Sequence, residues 1–325
     1  MEFYCLEYTE IVDRLRSDES RASDAYAVRR VCHELSRAVL QRRSSRLEMV
    51  QEGVLHALVP IVAQHASERA DVISDCCRFL RRLISLKEPS ELDIQSKIAE
   101  AGFLDVAMTA LTAHPTDRAL FTEVCRLVSL LCFDMPHAPH ADNQESLAAA
   151  GVLRSVIERL TRDNLDDDES AIACDAIYAM VYEHAEMLDQ DSVVELGIVE
   201  RLLQYMETRR AECDVLLQWH VLKAVEMLCR SSADRQVDTR RVDLLMQAGA
   251  PQFALSVIKT PAVVQTPHVA EQAIRLLELL ASNEANRIPL TRLGASRAVK
   301  VVYNSTQHAG VLVLCERAAS AIEGT

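Results

Sequence analysis

The sequence predicts an all-α fold, a solenoid of three-helix repeats, and three observations support this prediction. A phrase made of a helix end, a glycine and an apolar helix occurs six times, for example as "AEAGFLDVAMTAL" at 99–111 and "TRLGASRAVKVV" at 291–302. Six of the eight glycines stand in this phrase. Apolar residues recur with helical spacing between the copies, and only 4% of all residues are aromatic.

The phrase glycines predict the joint between two helices of each repeat. They follow one another at intervals of 49, 49, 46, 52 and 45 residues. A residue just past a helix end often has positive φ, which is cheap only for glycine. We also expect the missing side chain to let the two helices approach closely. The six structural glycines are Gly53, Gly102, Gly151, Gly197, Gly249 and Gly294.

The elements are predicted in chain order as two capping helices followed by six repeats. The caps fill residues 1–45, with a leading helix at about 5–16 and a lone helix at 25–41. Each repeat ends in a long helix with a broad apolar stripe, called here the third helix, as in "VAEQAIRLLELLAS" at 269–282. The predicted repeats, expected to form one continuous domain over 46–322, are 46–87, 92–134, 142–187, 190–231, 240–283 and 284–322.

The glycine phrase and the stretch "AIRLLELLASNEANRIPLTRLGA" at 273–295 resemble the armadillo repeat family. HEAT repeats are the neighbouring alternative, but they have two helices and lack the glycine junction. The resemblance covers about residues 23–322 and implies a right-handed superhelical α-solenoid. It also implies that third helices line a concave groove in which an extended peptide lies.

Aligning the third helices on their apolar stripes predicts which residues face that groove. The family's Trp-x-x-x-Asn ladder is absent, which argues against an import adaptor of basic signals. Five of the six Trp-equivalent residues are cationic, which resembles the catenin branch and implies an acidic or phosphorylated partner segment. The alternative is that these cations are merely the wet face of amphipathic helices. The predicted groove residues are Arg30, Arg78, Arg82, Arg126, Tyr178, Tyr182, Lys223 and Arg275.

Sequence patterns for chemistry are weak, so no catalytic residue, cofactor or metal is expected. His137, His140 and Asp142 provide too few ligands for zinc and predict a solvated loop. The acids at 163–169 lack the spacing of a calcium loop and suit a helix N-terminus. Trp219, the only tryptophan, is expected in the core, with a binding anchor as the alternative. Ser45 follows arginines in "QRRSSR", a short kinase-like pattern.

Charge and cysteine usage limit the class of protein. A net charge of −13 argues against nucleic-acid binding, and we see neither a membrane span nor a basic leader. The ten cysteines form no C-x-x-C pair and predict buried, reduced thiols in the cytoplasm. We therefore expect a non-catalytic scaffold or adaptor for another protein. The alternatives are a structural component of a cytoskeletal or ciliary assembly, bound to neighbouring subunits, and, less favoured, an enzyme.

Overall fold

The computed structural model describes residues 13, 17, 23–41, 45–84, 92–134, 138–162, 165–182, 202–203, 215–227, 239–260 and 266–324. Most of the predicted leading helix, Gly197 and His137 lie outside this part of the chain, as does the side chain of Ser45. The described residues form helices joined by short turns, and the chain falls into two compact units, one ending at Arg159 and the other beginning at Leu160.

The first helix of the first unit whose bounds the structure describes is the lone helix, and it has the predicted bounds. The helices of this unit are α1 (Ala25–Gln41), α2 (Ser45–Gln51), α3 (Val54–Ala63), α4 (Ala70–Leu83), α5 (Leu92–Glu100), α6 (Phe103–Ala113), α7 (Arg118–Leu131), α8 (Ala141–Ala149) and α9 (Val152–Arg162), whose last turn passes the division. The third helices here are α1, α4 and α7, and α4 packs against both of the others. Their apolar stripes bury Leu35, Phe79 and Leu127.

The second unit contains eight helices whose bounds the structure describes. They are α10 (Asp167–Val181), α11 (Val215–Met227), α12 (Thr239–Ala248), α13 (Ala250–Ile258), α14 (Pro267–Ala281), α15 (Glu284–Leu293), α16 (Ala295–Ser305) and α17 (Ala309–Glu323). The third helices α10, α11, α14 and α17 pack in that sequence, each against the next. Their stripes bury Ile177, Val225 and Leu277, and each such side chain contributes about 1.5–3 kcal/mol to stability.

The phrase glycines join two helices at a single residue. Five of them, at 53, 102, 151, 249 and 294, have φ between 76° and 95°. The N–H of Gly102 bonds to the carbonyl of Ala99 in the preceding turn, while the carbonyl of Gly151 accepts the first bond of the following helix, from Ser155. The expected close approach of the helices is wrong, because a Cβ at Gly53, Gly102, Gly151 or Gly294 would meet no atom within 4 Å. Backbone conformation alone therefore requires glycine at these four junctions.

The loop at 133–140 departs from the sequence prediction in two ways. Phe133–Asp134 and Ala138–Pro139 form a two-residue antiparallel ladder, β1 and β2, in an otherwise helical fold. His140 is buried rather than solvated. Both nitrogens of its ring have partners, since Nδ1 accepts the N–H of Asn143 and Nε2 lies 3.1 Å from Ser96 Oγ. In the described part of the chain, no three His, Cys, Asp or Glu residues converge as metal ligands.

The acidic loop before α10 acts as a helix N-terminus, as predicted. Asp166 accepts the N–H of Glu169, and Glu169 accepts the N–H of Asp166 in return. This reciprocal pair satisfies two N–H groups that the first turn of a helix would otherwise leave free.

The described thiols are buried in the core. None of the described cysteines forms a disulfide; they are Cys32, Cys76, Cys77, Cys125, Cys132, Cys174 and Cys315. Burial raises the pKa of Cys77, Cys125 and Cys132 well above the ordinary thiol range. It raises the pKa of Cys315 to about 11. These four thiols therefore form little thiolate at neutral pH and should react slowly.

Candidate partner-binding face

The groove residues predicted in the first unit lie on one face of its third helices. Arg30 on α1 is 70% exposed, while Arg78 on α4 and Arg126 on α7 are 41% and 42% exposed. Arg82 is also exposed and, within the described part of the chain, has no ion-pair partner. It follows Arg78 by one helical turn, so the two side chains share a face of α4.

Buried carboxylates lie beneath these cations. Asp75 on α4 is 1% exposed and accepts hydrogen bonds from Arg29 at 2.7 Å and from Arg78 at 2.7 Å. Glu123 on α7 is 8% exposed and accepts from Arg81 at 2.5 Å and from Arg126 at 3.2 Å. The carboxylates are therefore shielded from solvent, whereas the guanidinium groups above them are in part accessible.

The two carboxylates belong to one ion network across α1, α4 and α7. Arg78 bridges them, because its Nε also lies 3.4 Å from Glu123 Oε1. Asp75 is also 3.2 Å from His33 Nε2. At the outer end, Arg69 and Arg29 both contact Asp71, and the hydrogen bond from Arg69 is the main reason that the pKa of Asp71 is lowered. Within the described residues, five arginines share three carboxylates.

Contacts between neighbouring third helices share one register in three of the five helix pairs that the structure describes. In each of these pairs, the contact joins two residues. One stands three positions after the aligned groove residue of the first helix, and the other stands three positions before the aligned groove residue of the next helix. This holds for His33 with Asp75, for Arg81 with Glu123 and for Glu226 with Gln272. The aligned positions are therefore equivalent in these three helix pairs, two in the first unit and one in the second.

The second unit places aromatic rings where the first has arginines. Lys223 Nζ lies 4.0 Å from the centre of the Tyr178 ring and 4.2 Å from that of Trp219. Tyr182 packs against Tyr178 with ring centres 5.3 Å apart, and Trp219 also meets the edge of His268 at 5.5 Å. Trp219 therefore lies at the third-helix face, half-buried, rather than fully in the core.

Lys223 is covered by these contacts. Its side chain is only 17% exposed, and its Nζ lies 3.6 Å from Asp175 Oδ1, an atom that His220 Nδ1 approaches to 2.6 Å. Burial lowers the pKa of Lys223, although Asp175 acts in the opposite direction. The ammonium is thus compensated from within the unit and differs from the accessible arginines of the first unit.

Two exposed arginines complete the face of the second unit. Arg275 on α14 donates to Glu271 one turn earlier, at 2.7 Å, and this hydrogen bond raises its pKa. Arg317 on α17 is 64% exposed and contacts Glu278 of α14 at 2.7 Å. Arg317 is the ninth residue of α17, as Arg275 is the ninth of α14, but its contact with Glu278 departs from the register of the three pairs above, so the two arginines are not equivalent in packing.

The sequence prediction also missed Asp75 and Glu123, although a sequence pattern indicates both. Each stands three residues before its arginine, in "DCCR" at 75–78 and "EVCR" at 123–126, and Asp175 precedes Tyr178 in the same way. Residues three apart on a helix are neighbours, so this spacing indicates an acid beside each aligned position. Whether the acid is buried depends on the neighbouring helix.

No helix in the part of the chain that the structure describes is both long and apolar enough to cross a membrane. No protein-family model matches the sequence, and no curated protein matches it.

Solved structures resemble the chain in fold. The crystal structure of an engineered protein superposes with a TM-score of 0.64 at 16% identity, covering 81% of this chain and 96% of that one. A designed armadillo repeat protein in complex with the peptide (KR)4 superposes with a TM-score of 0.63 at 16% identity, covering 81% of this chain and 99% of that one. The chain therefore has the predicted all-α, armadillo-type repeat fold.

Proposed function

We propose that this protein is a non-catalytic scaffold or adaptor that binds an extended, acidic segment of another protein along its third helices. The observation that carries the proposal is the pairing in the first unit of accessible arginines with buried carboxylates. The carboxylates hold Arg78 and Arg126 in place, while their unused N–H donors remain available to a partner. The whole chain has a net charge of −13, so this group of cations is a local feature of the surface and does not reflect the overall charge.

The proposed contacts are individually weak and act together. An exposed ion pair contributes about 0.2–1 kcal/mol, so stable binding needs several of them. Packed helices lie about 8–10 Å apart, and an extended peptide advances about 3.3 Å per residue. Acids about three residues apart in the partner would therefore meet successive third helices.

The test is a double substitution that leaves the buried acids alone. Arg30→Glu with Arg82→Glu reverses two exposed charges, neither of which contacts Asp75 or Glu123. The partner is isolated by affinity purification and identified by mass spectrometry, and we expect the double variant to bind it more than tenfold more weakly than the parent protein does. Rising salt should weaken binding of the parent more steeply than binding of the double variant, because salt screens exposed charges. The matched control is Arg154→Glu with Arg292→Glu, two exposed arginines on helices other than third helices. Equal affinity of both double variants would contradict the proposal.

A structural component of a larger assembly is the alternative, and one observation favours it. The last repeat exposes large apolar side chains, with Ile288 at 64%, Val313 at 57% and Val301 at 51%. A contiguous exposed apolar patch often marks a protein interface, and under this alternative the three side chains belong to such a patch. Under this alternative Ile288→Ser with Val313→Ser, and not the arginine pair, would abolish the interaction. For either role we propose a cytoplasmic location, with the cytoskeleton or cilium as the setting of an assembly.

A further inference from the structure

We propose that Arg78, Arg82 and Arg126 form a site for a phosphorylated side chain of the partner, with Glu123 as its positioning residue. The inference rests on the proposed function and assigns a chemical class to one position along the bound segment. It follows from the way in which the three guanidinium groups are held, from their unused donors and from the local charge.

Two of the arginines are held by the same oxygen atom. Arg126 Nη1 lies 3.2 Å and Arg78 Nε lies 3.4 Å from Glu123 Oε1, although the two arginines come from different helices. Two guanidinium groups in contact with one oxygen are themselves neighbours. Arg82 follows Arg78 by one turn on the same face of α4, which places a third cation beside Arg78.

Most of their donors remain unused. Each guanidinium has five N–H donors, and among the described residues Arg78 and Arg126 each donate one hydrogen bond, through Nη1, to Asp75 and Glu123 respectively. Arg82 donates none within the described part of the chain. A carboxylate is satisfied by a single guanidinium fork, whereas a phosphate has three acceptor oxygens and can bond to all three arginines.

The charge of the network also fits a dianion. Five arginines share three carboxylates among the described residues, and Arg82 adds a further cation without an acid. Six arginines against three carboxylates leave a surplus of three positive charges, and a phosphorylated side chain, with a charge of about −1.5 to −2 at neutral pH, offsets more of it than a carboxylate does. One carboxylate would leave part of the surplus uncompensated.

Glu123 acts on the ligand only through the arginines. It is buried at 8% exposure and fixes Arg78, Arg81 and Arg126 before any ligand arrives. Side chains that are ordered in advance lose less conformational entropy on binding. Replacing Glu123 with Gln would add net positive charge and at the same time loosen the arrangement, which separates a positioning role from general attraction.

The experiment measures three versions of one peptide against the full chain. The probes are extended peptides with acids three residues apart and a central phosphoserine, serine or glutamate, followed by fluorescence anisotropy at 0.15 M salt. We expect the phosphoserine peptide to bind at least tenfold more tightly than both others. Arg82→Gln, and separately Arg126→Gln, should reduce this preference to less than threefold, while the control Arg154→Gln preserves it.

Glu123→Gln supplies the readout that a merely structural role would not give. We expect its preference for phosphoserine over glutamate to fall at least threefold, while its affinity for the glutamate peptide stays equal or rises. A parallel loss of affinity for all peptides would show a structural role only and would overturn the assignment of Glu123.

The remaining outcomes separate the two proposals. Equal binding of the phosphoserine and glutamate peptides, lost in Arg82→Glu, would overturn the phosphate site and leave the acidic partner standing. No binding of any peptide, together with unchanged partner affinity in Arg30→Glu with Arg82→Glu, would overturn both. Binding to phosphoinositide vesicles and to no phosphopeptide would overturn the assignment to a protein partner.

Discussion

The third helices of the two units have equivalent positions but different chemistry. In the first unit, Arg78 and Arg126 are in part accessible above buried carboxylates. In the second unit, Tyr178 and Lys223 occupy the aligned positions and contact each other, with the lysine ammonium over the tyrosine ring. The first unit therefore presents cations to solvent, whereas the second uses one of its cations internally.

The physical cause of this difference is the neighbour that each cation finds. A guanidinium over a buried carboxylate keeps several donors directed outward, because its planar fork cannot be satisfied by one acid. A lysine between two aromatic rings is covered on both sides, since the attraction is to the ring faces. Residues that carry the same positive charge at aligned positions thus have two different roles.

The largest expected effect is charge reversal at Arg78, which would break the network of the first unit. Arg78→Glu places a third acid between Asp75 and Glu123, both nearly buried, and should lower the free energy of unfolding by about 3 kcal/mol, the lower end for a broken buried pair. Arg275→Glu in the second unit loses a partly exposed pair with Glu271 and the attraction of Glu226 and Glu278 for the guanidinium, and it should cost less, about 1 kcal/mol. Urea denaturation of both variants checks this.

This prediction replaces a simpler expectation from the sequence. If the aligned arginines lined a groove without supporting the fold, Arg78→Glu with Arg126→Glu would weaken partner binding more than tenfold and leave the melting temperature nearly unchanged. The shared contact with Glu123 makes that expectation untenable, so reversal of these two residues is not a clean test of binding. Equal stability of Arg78→Glu and Arg275→Glu would show that the network contributes little.

A smaller effect should be equal in both units, because the glycine junction is what they share. Gly102 and Gly294 have φ of 82° and 86°, with open space around both. Gly102→Val and Gly294→Val should each cost about 1–2 kcal/mol, from positive φ at a β-branched residue. Asn substitutions at the same positions should cost less than half as much, because Asn tolerates this conformation. Thermal unfolding measures the stability lost in each variant. A tenfold difference in this loss between Val and Asn at one junction, but not at the other, would contradict the equivalence of the two junctions.

The smallest effect concerns Lys223 and is visible by fluorescence. Its pKa is lowered by burial, so Lys223 should lose its charge at a lower pH than a free lysine, changing the emission of Trp219. Between the folded and unfolded pKa the unfolded chain binds more protons, so this group makes stability rise with pH there. Lys223→Met should remove the transition and change stability by less than about 1 kcal/mol. Lys300→Met, at an exposed lysine, should preserve it; a transition that survives Lys223→Met would belong to another group.

The repeat and its junctions were predictable from the sequence because they depend on local physics. Helical spacing of apolar residues predicts the third helices, and α1 has the predicted bounds of 25–41. Positive φ is a property of one residue and its neighbours, so the glycines at 53, 102, 151, 249 and 294 could be recognised in advance. The buried acids were partly visible as well, in the spacing of Asp75 to Arg78 and of Glu123 to Arg126.

Only the tertiary structure decided what each of these charged residues does. Asp75 is buried because Arg29 and His33 of α1 cover it, and Lys223 is buried because Tyr178 of α10 lies against it. Both contacts join residues more than 40 positions apart, as the numbering shows. The sequence by itself determined that cations recur at equivalent positions of an all-α repeat. Whether a cation faces solvent or is enclosed depends on the helix packed beside it, and helical periodicity carries no information about that neighbour.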